Sequence, residues 1–184
     1  MRVEETAIPD VRILHLQPHG DRRGLFVETY DHGLFTRHGV TDEFVQDATS
    51  RSDRRGVVRG LHFQTPPFVQ AKLVRVARGR IFDVAVDLRR GRPTYGRHVA
   101  VELAADDWRM LYIPGGFAHG FCTLTEDTEI AYKLSAPYSP EHARGVLWND
   151  PDLGVSWPAS AAEAVVTERD KTWPTLKTMP PAFD

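Results

Sequence analysis

An all-β domain, with two sheets wrapped into a jelly roll or barrel, is what the sequence predicts. Three observations carry that expectation. Thirteen prolines and fourteen glycines punctuate the 184 residues, and breakers at that density separate short strands rather than long helices. Between them lie about ten short apolar runs, the strand number of a double-sheet jelly roll or small barrel. Helical patterning is confined to one short stretch.

The runs, in order, are Val11–Gln17, Gly24–Thr29, Phe44–Ser50, Val57–Gln64, Ala71–Arg78, Arg80–Asp87, Arg97–Leu103, Arg109–Pro114, Ala118–Leu124 and Thr128–Leu134. Turn chemistry falls between them at Thr65-Pro66-Pro67, Arg78-Gly79, Gly91-Arg92-Pro93, Gly115-Gly116 and Ala136-Pro137. Asp31–His38 reads as the one short helix, with Asp31 as N-cap and Gly39 just past its end. The C-terminal third is loop-rich, with a helical turn expected near Asp170–Trp173. No repeat or linker divides the chain, so residues 1–184 are expected to form a single domain with a full-sized core.

Composition excludes several function classes. The formal net charge is −2, so no overall basic field recruits nucleic acid or a membrane surface. No apolar segment approaches spanning length and the N-terminus lacks a signal peptide's apolar stretch. The single cysteine, Cys122, rules out an internal disulfide and points to a reducing, cytoplasmic setting. Cys122 sits in an apolar run beside Phe121 and reads as a packed core thiol. The arginines Arg22, Arg23, Arg51, Arg54, Arg55 and Arg59 cluster early in the chain. They form either a solvated loop or a phosphate-binding rim.

Strand parity then places polar residues on inward faces. Lys72 shares a face with Val74 and Val76, Tyr132 with Ile130 and Leu134, and His119 with Phe117 and Phe121. His62 is expected to share its face with Val58, Gly60 and Gln64. Arg59 would face the other way in a regular strand. A bulge at Gly60 would reverse that, since glycine inside a strand often marks one; without it, Arg59 is a surface or interface residue.

A buried histidine and lysine are costly unless something uses them. Metal binding is the first reading to weigh. Pro114, Gly116 and His119 match the Pro-x-Gly-x-x-His signature of metal-binding cupin barrels. The companion signature needs His-x-His and a downstream glutamate. Here Gln64 stands two residues after His62, no glutamate follows soon after, and Lys72 occupies the region instead. No metal or other cofactor is expected.

What remains is an acid–base set. A histidine near neutral pKa takes a proton from carbon, an ammonium steadies the enolate oxygen, and a tyrosine on another wall returns a proton. Each member has a plainer reading. His62 and Tyr132 are also ordinary core residues, and Asp83, in an apolar strand, is a candidate partner that would make Lys72 structural. Asp170 is the candidate carboxylate behind the base, although as a sequence position it is indistinguishable from a surface aspartate or a helix cap.

With these residues in view, the chain resembles the dTDP-4-dehydrorhamnose 3,5-epimerase family, the metal-free sugar-nucleotide epimerases among the cupins. The likeness runs nearly end to end. It takes in Asp21–Glu28, Phe44–Asp47, Arg59–Gln64, Gln70–Val74, Asp83–Arg89, Pro114–Phe121, Trp148–Pro151 and Trp157-Pro158. The resemblance implies a cupin-type jelly roll and a cofactor-free isomerase acting on a dTDP-keto-sugar. It assigns His62 as general base in a dyad with Asp170, Tyr132 as general acid and Lys72 as holder of the C4 enolate oxygen. Arg59 and His119 would contact phosphates or sugar, Gln46 the nucleotide, and Tyr138 would stack on thymine. It further implies a homodimer in which an N-terminal strand crosses over, so that Arg23, Phe26 and Glu28 complete the neighbour's nucleotide pocket. Two positions depart from the family pattern: Ala48 replaces the usual asparagine after Gln-Asp, and Ala143 stands where a glutamate is common. These departures leave open whether C3 and C5 are both inverted or only one centre. A metal-dependent cupin enzyme and a non-catalytic sugar-nucleotide binder are the readings from other classes.

Overall fold

Alternating aliphatic and polar residues divide most of the chain into strands with two distinct faces, and the computed structural model describes them over residues 1–160 and 162–183. In chain order the elements are β1 (Arg2–Glu5), β2 (Arg12–His15), β3 (His19–Asp21), β4 (Gly24–Phe26), α1 (His32–Arg37), β5 (Gln46–Ser52), β6 (Val58–Gln64) and β7 (Lys72–Arg78). They continue with β8 (Arg80–Asp87), β9 (His98–Ala104), β10 (Arg109–Ile113), β11 (Phe117–Thr123), β12 (Thr128–Leu134), β13 (Ala143–Gly145) and α2 (Glu168–Lys171).

A six-stranded sheet, β1-β2-β10-β7-β12-β5, faces a five-stranded sheet, β13-β6-β11-β8-β9, while β3 and β4 form a separate hairpin. This is the all-β, double-sheet jelly roll of the cupin type expected from the sequence. Between the sheets lies an aliphatic and aromatic core. Ile13, Val74, Val76, Leu111, Ile113 and Ile130 come from one side, and Ile81, Ala85, Val99, Leu103, Phe117 and Phe121 from the other. Removal of this much apolar surface from water is the main force holding the two sheets together.

The outer faces are also covered. Leu61, Phe63, Val84, Val86 and Ala118 turn away from the interior and pack under Leu153, Met179, Trp157 and Phe183. The loop-rich C-terminal third is therefore a coat on the five-stranded sheet. Across the molecule, α1 sets Phe35 against Leu14, Leu73 and Met110 on the back of the six-stranded sheet. The helix is capped as the sequence predicts, with the Asp31 side chain accepting from the Leu34 backbone N–H and Gly39 at φ +82° past the end. Cys122 is buried with Val58 and Trp148, and burial raises its pKa, as a packed thiol requires. No helix among the described residues is long and apolar enough to cross a membrane.

Several boundaries differ from the expectation. Phe44–Ser50 becomes Gln46–Ser52, because pairing with β12 sets the register (Leu134 opposite Gln46, Thr128 opposite Ser52). Phe44 instead meets the Tyr30 ring edge-on. The run expected over Gly24–Thr29 stops at Phe26, since its partner β3 offers only His19–Asp21, and Val27 turns into the outer cluster. The strands β1, β3 and β13 carry too little alternation to stand out in sequence.

Candidate active site

The two sheets part at one end around a cavity of about 510 Å³. Arg59, His62 and Gln64 (β6) and His119 (β11) line it from the five-stranded sheet, while Lys72 (β7), Tyr132 (β12) and Ala48 (β5) line it from the six-stranded sheet. Asp170, Tyr138 and Ala143 complete the set relevant here.

The orientation of β6 depends on one extra residue. Phe121 lies opposite Arg59 and His119 opposite His62, so three steps on β6 match two on β11. The strand is bulged at Gly60, which has φ +138°. A Cβ at this position would lie 2.5 Å from the Gly120 Cα, so only glycine lets the strands approach. One expectation is thereby corrected. Val58 does not share His62's face; it packs outside with Cys122 and Trp148, because the bulge reverses the alternation. Arg59 faces the cavity for the same reason, with its guanidinium donating to the Arg51 carbonyl at 3.1 Å.

His62 Nε2 lies 2.6 Å from Asp170 Oδ1. Asp170 also accepts from the Gly60 N–H at 3.3 Å and the Trp173 indole at 3.1 Å. Burial favours the neutral acid, but the hydrogen bond and charge of His62, with these donors, outweigh it and hold the pKa below the usual carboxylate range. Asp170 is neither a surface residue nor an N-cap. The cap of α2 is Thr167, and Asp170 is the buried residue of that helix. The imidazole side chain is 41% exposed against 5% for Asp170, so the ring is open to a ligand and the carboxylate is not.

Lys72 is buried at 9% relative exposure, and its ammonium donates to the His62 carbonyl at 3.3 Å. Burial pushes its pKa down to about 8, opposed by the charge of Asp83. Asp83 is not its hydrogen-bond partner. That carboxylate bonds His119 Nε2 at 2.5 Å instead, so the expectation of a structural Lys72–Asp83 pair gives way to a His119–Asp83 pair. Desolvation lowers the His119 pKa despite this neighbour. On the facing wall the Tyr132 hydroxyl lies 3.0 Å from the Ser50 hydroxyl. Desolvation raises its pKa well above the ordinary phenol value, so the group is protonated at neutral pH.

Not every predicted residue lines the cavity walls. Gln46 does not line the cavity; its side-chain oxygen accepts from the Tyr138 backbone N–H at 2.9 Å, which fixes the loop carrying that ring. Tyr138 stands at the rim with 54% of its surface exposed. Arg23, Phe26 and Glu28 are exposed and none reaches the cavity of its own chain. Of the early arginine cluster only Arg59 does; Arg51 pairs with Asp53 and Asp127, and Arg23 with Asp21.

Gln64, which occupies the position of a second metal ligand in the cupin signature, ties loops together. Its amide nitrogen donates to the carbonyls of Phe68 and Pro137, and its oxygen accepts from the Ser139 N–H. No three His, Cys, Asp or Glu side chains converge as metal ligands among the described residues. Ser50 and the role of Asp83 were missed by the sequence reading. Parity on β8 puts Asp83 inward with Ile81 and Ala85, which was the available signal for the latter.

The sequence profile described as dTDP-4-dehydrorhamnose 3,5-epimerase matches residues 5–178. A dTDP-4-dehydrorhamnose 3,5-epimerase of Sinorhizobium fredii is 45% identical over 183 residues, covering 100% of this chain and 93% of the relative. Among solved structures, a dTDP-6-deoxy-D-glucose-3,5-epimerase from Legionella pneumophila in complex with dTDP-4-keto-L-rhamnose superimposes with a TM-score of 0.92. It is 38% identical, over 97% of this chain and 94% of that one. A 3'-monoepimerase from Streptomyces bikiniensis in complex with dTDP-quinovose reaches 0.86 at 33% identity, over 95% and 87%. A profile that covers nearly the whole chain, together with relatives matched end to end in sequence and in fold, places the protein in the dTDP-4-dehydrorhamnose 3,5-epimerase family, and so among the isomerases.

Proposed function

We propose that the protein inverts C3 and C5 of dTDP-4-keto-6-deoxy-D-glucose through C4 enolates, without a cofactor. The observation that carries this reading is the placement of His62 and Tyr132 on opposite sheets across one cavity, with Lys72 sharing it. A base on one face of a sugar ring and an acid on the other is the arrangement that epimerisation requires. His62 removes the proton alpha to the C4 carbonyl, and the electron pair moves onto the C4 oxygen. Lys72 donates to that oxygen as charge develops, where a fixed donor in a poorly hydrated site is most effective. Tyr132 then delivers its proton to carbon from the other side and is reprotonated from solvent, while the His62 imidazolium returns its proton to solvent. Asp170 steadies the imidazolium, as a buried carboxylate behind a histidine does.

Arg59 and His119 contact the diphosphate or sugar in this reading, and Tyr138 stacks on the base. The β3–β4 hairpin reaches a second copy, bringing Arg23, Phe26 and Glu28 to its nucleotide pocket. Leu25 and Phe26, 63% and 66% exposed, are costly in a monomer and become buried in that homodimer. The single, buried thiol of Cys122 suits a cytoplasmic enzyme.

A single-centre 3-epimerase is the second reading. Ala48 and Ala143 both line the cavity and offer no polar group to fix the sugar for a second proton transfer. Turnover of the keto-sugar in D₂O separates the two: deuterium at both C3 and C5 of the product supports double inversion, and label at C3 alone overturns it.

A further inference from the structure

Asp83 has no exposed surface, yet it lies behind two side chains that line the cavity. On β8 it faces inward with Ile81 and Ala85. The register sets Asp83 opposite Phe121 and Ala85 opposite His119, which makes Asp83 and His119 diagonal neighbours within side-chain reach. Oδ1 meets His119 Nε2. An ionised carboxylate only accepts, so Nε2 carries the proton and Nδ1 of the neutral ring is an acceptor. Asp83 Oδ2 is the one buried side-chain polar atom without a hydrogen-bond partner among the described residues. Among the described residues His119 Nδ1 has no hydrogen-bond partner either, and since it is not among the buried orphan atoms it opens to the cavity that the ring lines.

An orphan carboxylate oxygen in the interior loses its hydration with no hydrogen bond in return. A nearby cation offsets that cost, and Lys72, a buried cavity residue on which the charge of Asp83 acts, is the one that it serves. The titratable or charged side chains that line its cavity are Arg59 and His62 on β6, His119 on β11, Tyr132 on β12, Arg144 on β13, Arg169 and Asp170 on α2 and the rim residue Tyr138, with Asp83 on β8 behind His119. The strands β9 and β10 present Val99, Leu103, Leu111 and Ile113 to the same interior. Of the two carboxylates, Asp170 is fully engaged by His62, Gly60 and Trp173. Asp83 alone keeps an unengaged oxygen.

We propose that Asp83 is a positioning residue for two groups at once: Oδ1 fixes the His119 ring with Nδ1 as an acceptor toward the cavity, and Oδ2 balances the Lys72 ammonium. What the two groups then do rests on the epimerase reading above: Nδ1 receives a sugar hydroxyl, and the ammonium meets the enolate oxygen. Asp83 thus couples orientation of the sugar to the charge state of the enolate donor.

The experiment combines nitrogen NMR of the ligand-free protein with pH–rate profiles of Asp83→Asn and Asp83→Glu. In the wild-type protein His119 is expected as the neutral Nε2–H tautomer; an Nδ1–H tautomer overturns the proposal without recourse to any variant. In Asp83→Asn the carboxamide still accepts from His119 but the charge is gone. The alkaline limb of kcat then moves to lower pH and kcat at pH 8 falls on the order of tenfold, as expected when an opposite charge nearby is removed. Asp83→Glu returns the limb toward its wild-type position. In a Lys72→Arg background, where the cation does not titrate, Asp83→Asn leaves any alkaline limb unmoved. An unshifted limb in Asp83→Asn with kcat within twofold of wild type overturns the proposal. Failure of the keto-sugar to turn over with the wild-type protein would count against the epimerase reading alone, because the tautomer is read without substrate.

Discussion

His62 Nε2 and Asp170 Oδ1 are 2.6 Å apart although 108 residues separate them in the chain. The histidine is held by a strand of the barrel wall and the carboxylate by a four-residue helix in the C-terminal coat. The coat therefore does more than cover apolar surface, since it delivers the carboxylate that holds the His62 ring, the proposed base. His62→Ala is expected to lower kcat by about 10²–10⁴-fold, the range for general base catalysis, with little change in melting temperature. Asp170→Asn should reduce kcat while KM changes little. Asp170 has a depressed pKa in the folded protein, so its contribution to stability is present above its unfolded pKa and is lost as pH falls through the folded one. Thermal melts across the acid range should show a smaller loss of stability in Asp170→Asn than in wild type.

Lys72 gives the enzyme its expected alkaline limit. Its pKa of about 8 means that the ammonium is present at neutral pH and is lost as pH rises through that value. Because the enolate donor must be charged, kcat should decline above pH 8. Lys72→Ala should lower kcat by about 10²–10³-fold, comparable with loss of one oxyanion donor, and abolish that limb. A wild-type profile flat to pH 10 would contradict the assignment.

Tyr132 should act after the base. In Tyr132→Phe, His62 still removes protons, so exchange of substrate deuterium with solvent should fall less than product formation. Ser50→Ala removes the hydrogen bond at 3.0 Å and is expected to lower kcat about 2- to 10-fold, the worth of one such bond, with KM unchanged.

Gly60 sets the inward face of both Arg59 and His62. In Gly60→Ala a Cβ would lie 2.5 Å from the Gly120 Cα, at a φ of +138° that side chains rarely adopt. Loss of about 2–4 kcal/mol is expected from strain at such a position, measurable by urea unfolding. Equal stability of the variant would mean that the bulge is dispensable.

The exposed hairpin should govern assembly. Phe26→Ser combined with Leu25→Ser is expected to shift the protein toward monomer in analytical ultracentrifugation. The same variant should raise KM more than it lowers kcat, because in the proposed homodimer the hairpin contributes nucleotide contacts rather than acid–base groups. An unchanged sedimentation profile would place the dimer contact elsewhere.

Much of the barrel was legible because strand periodicity is a local property. Arg80–Asp87 and Thr128–Leu134 are read without error, since each is a short β-prone run beside a breaker, Gly79 before the first and Ala136-Pro137 after the second. The inward positions of Lys72, His119 and Tyr132 followed from the same two-residue period. Two of the four proposed catalytic groups, Lys72 and Tyr132, were thus visible as polar residues on apolar faces, as was His119.

What the sequence determined by itself, then, is the double-sheet barrel, the cap of α1 and the polar trio on its inner walls. Pleat, propensity and turn chemistry act over a few residues and leave their pattern in the chain. Only the tertiary structure decided that Arg59 and His62 share the cavity, that Asp170 rather than a surface carboxylate backs the base, and that Asp83 serves His119 instead of bonding Lys72. Each of those outcomes depends on a register: the β6–β11 bulge, the seating of the C-terminal coat on the barrel, and the β8–β11 diagonal. Register is fixed by packing between segments distant in sequence, so no local period records it.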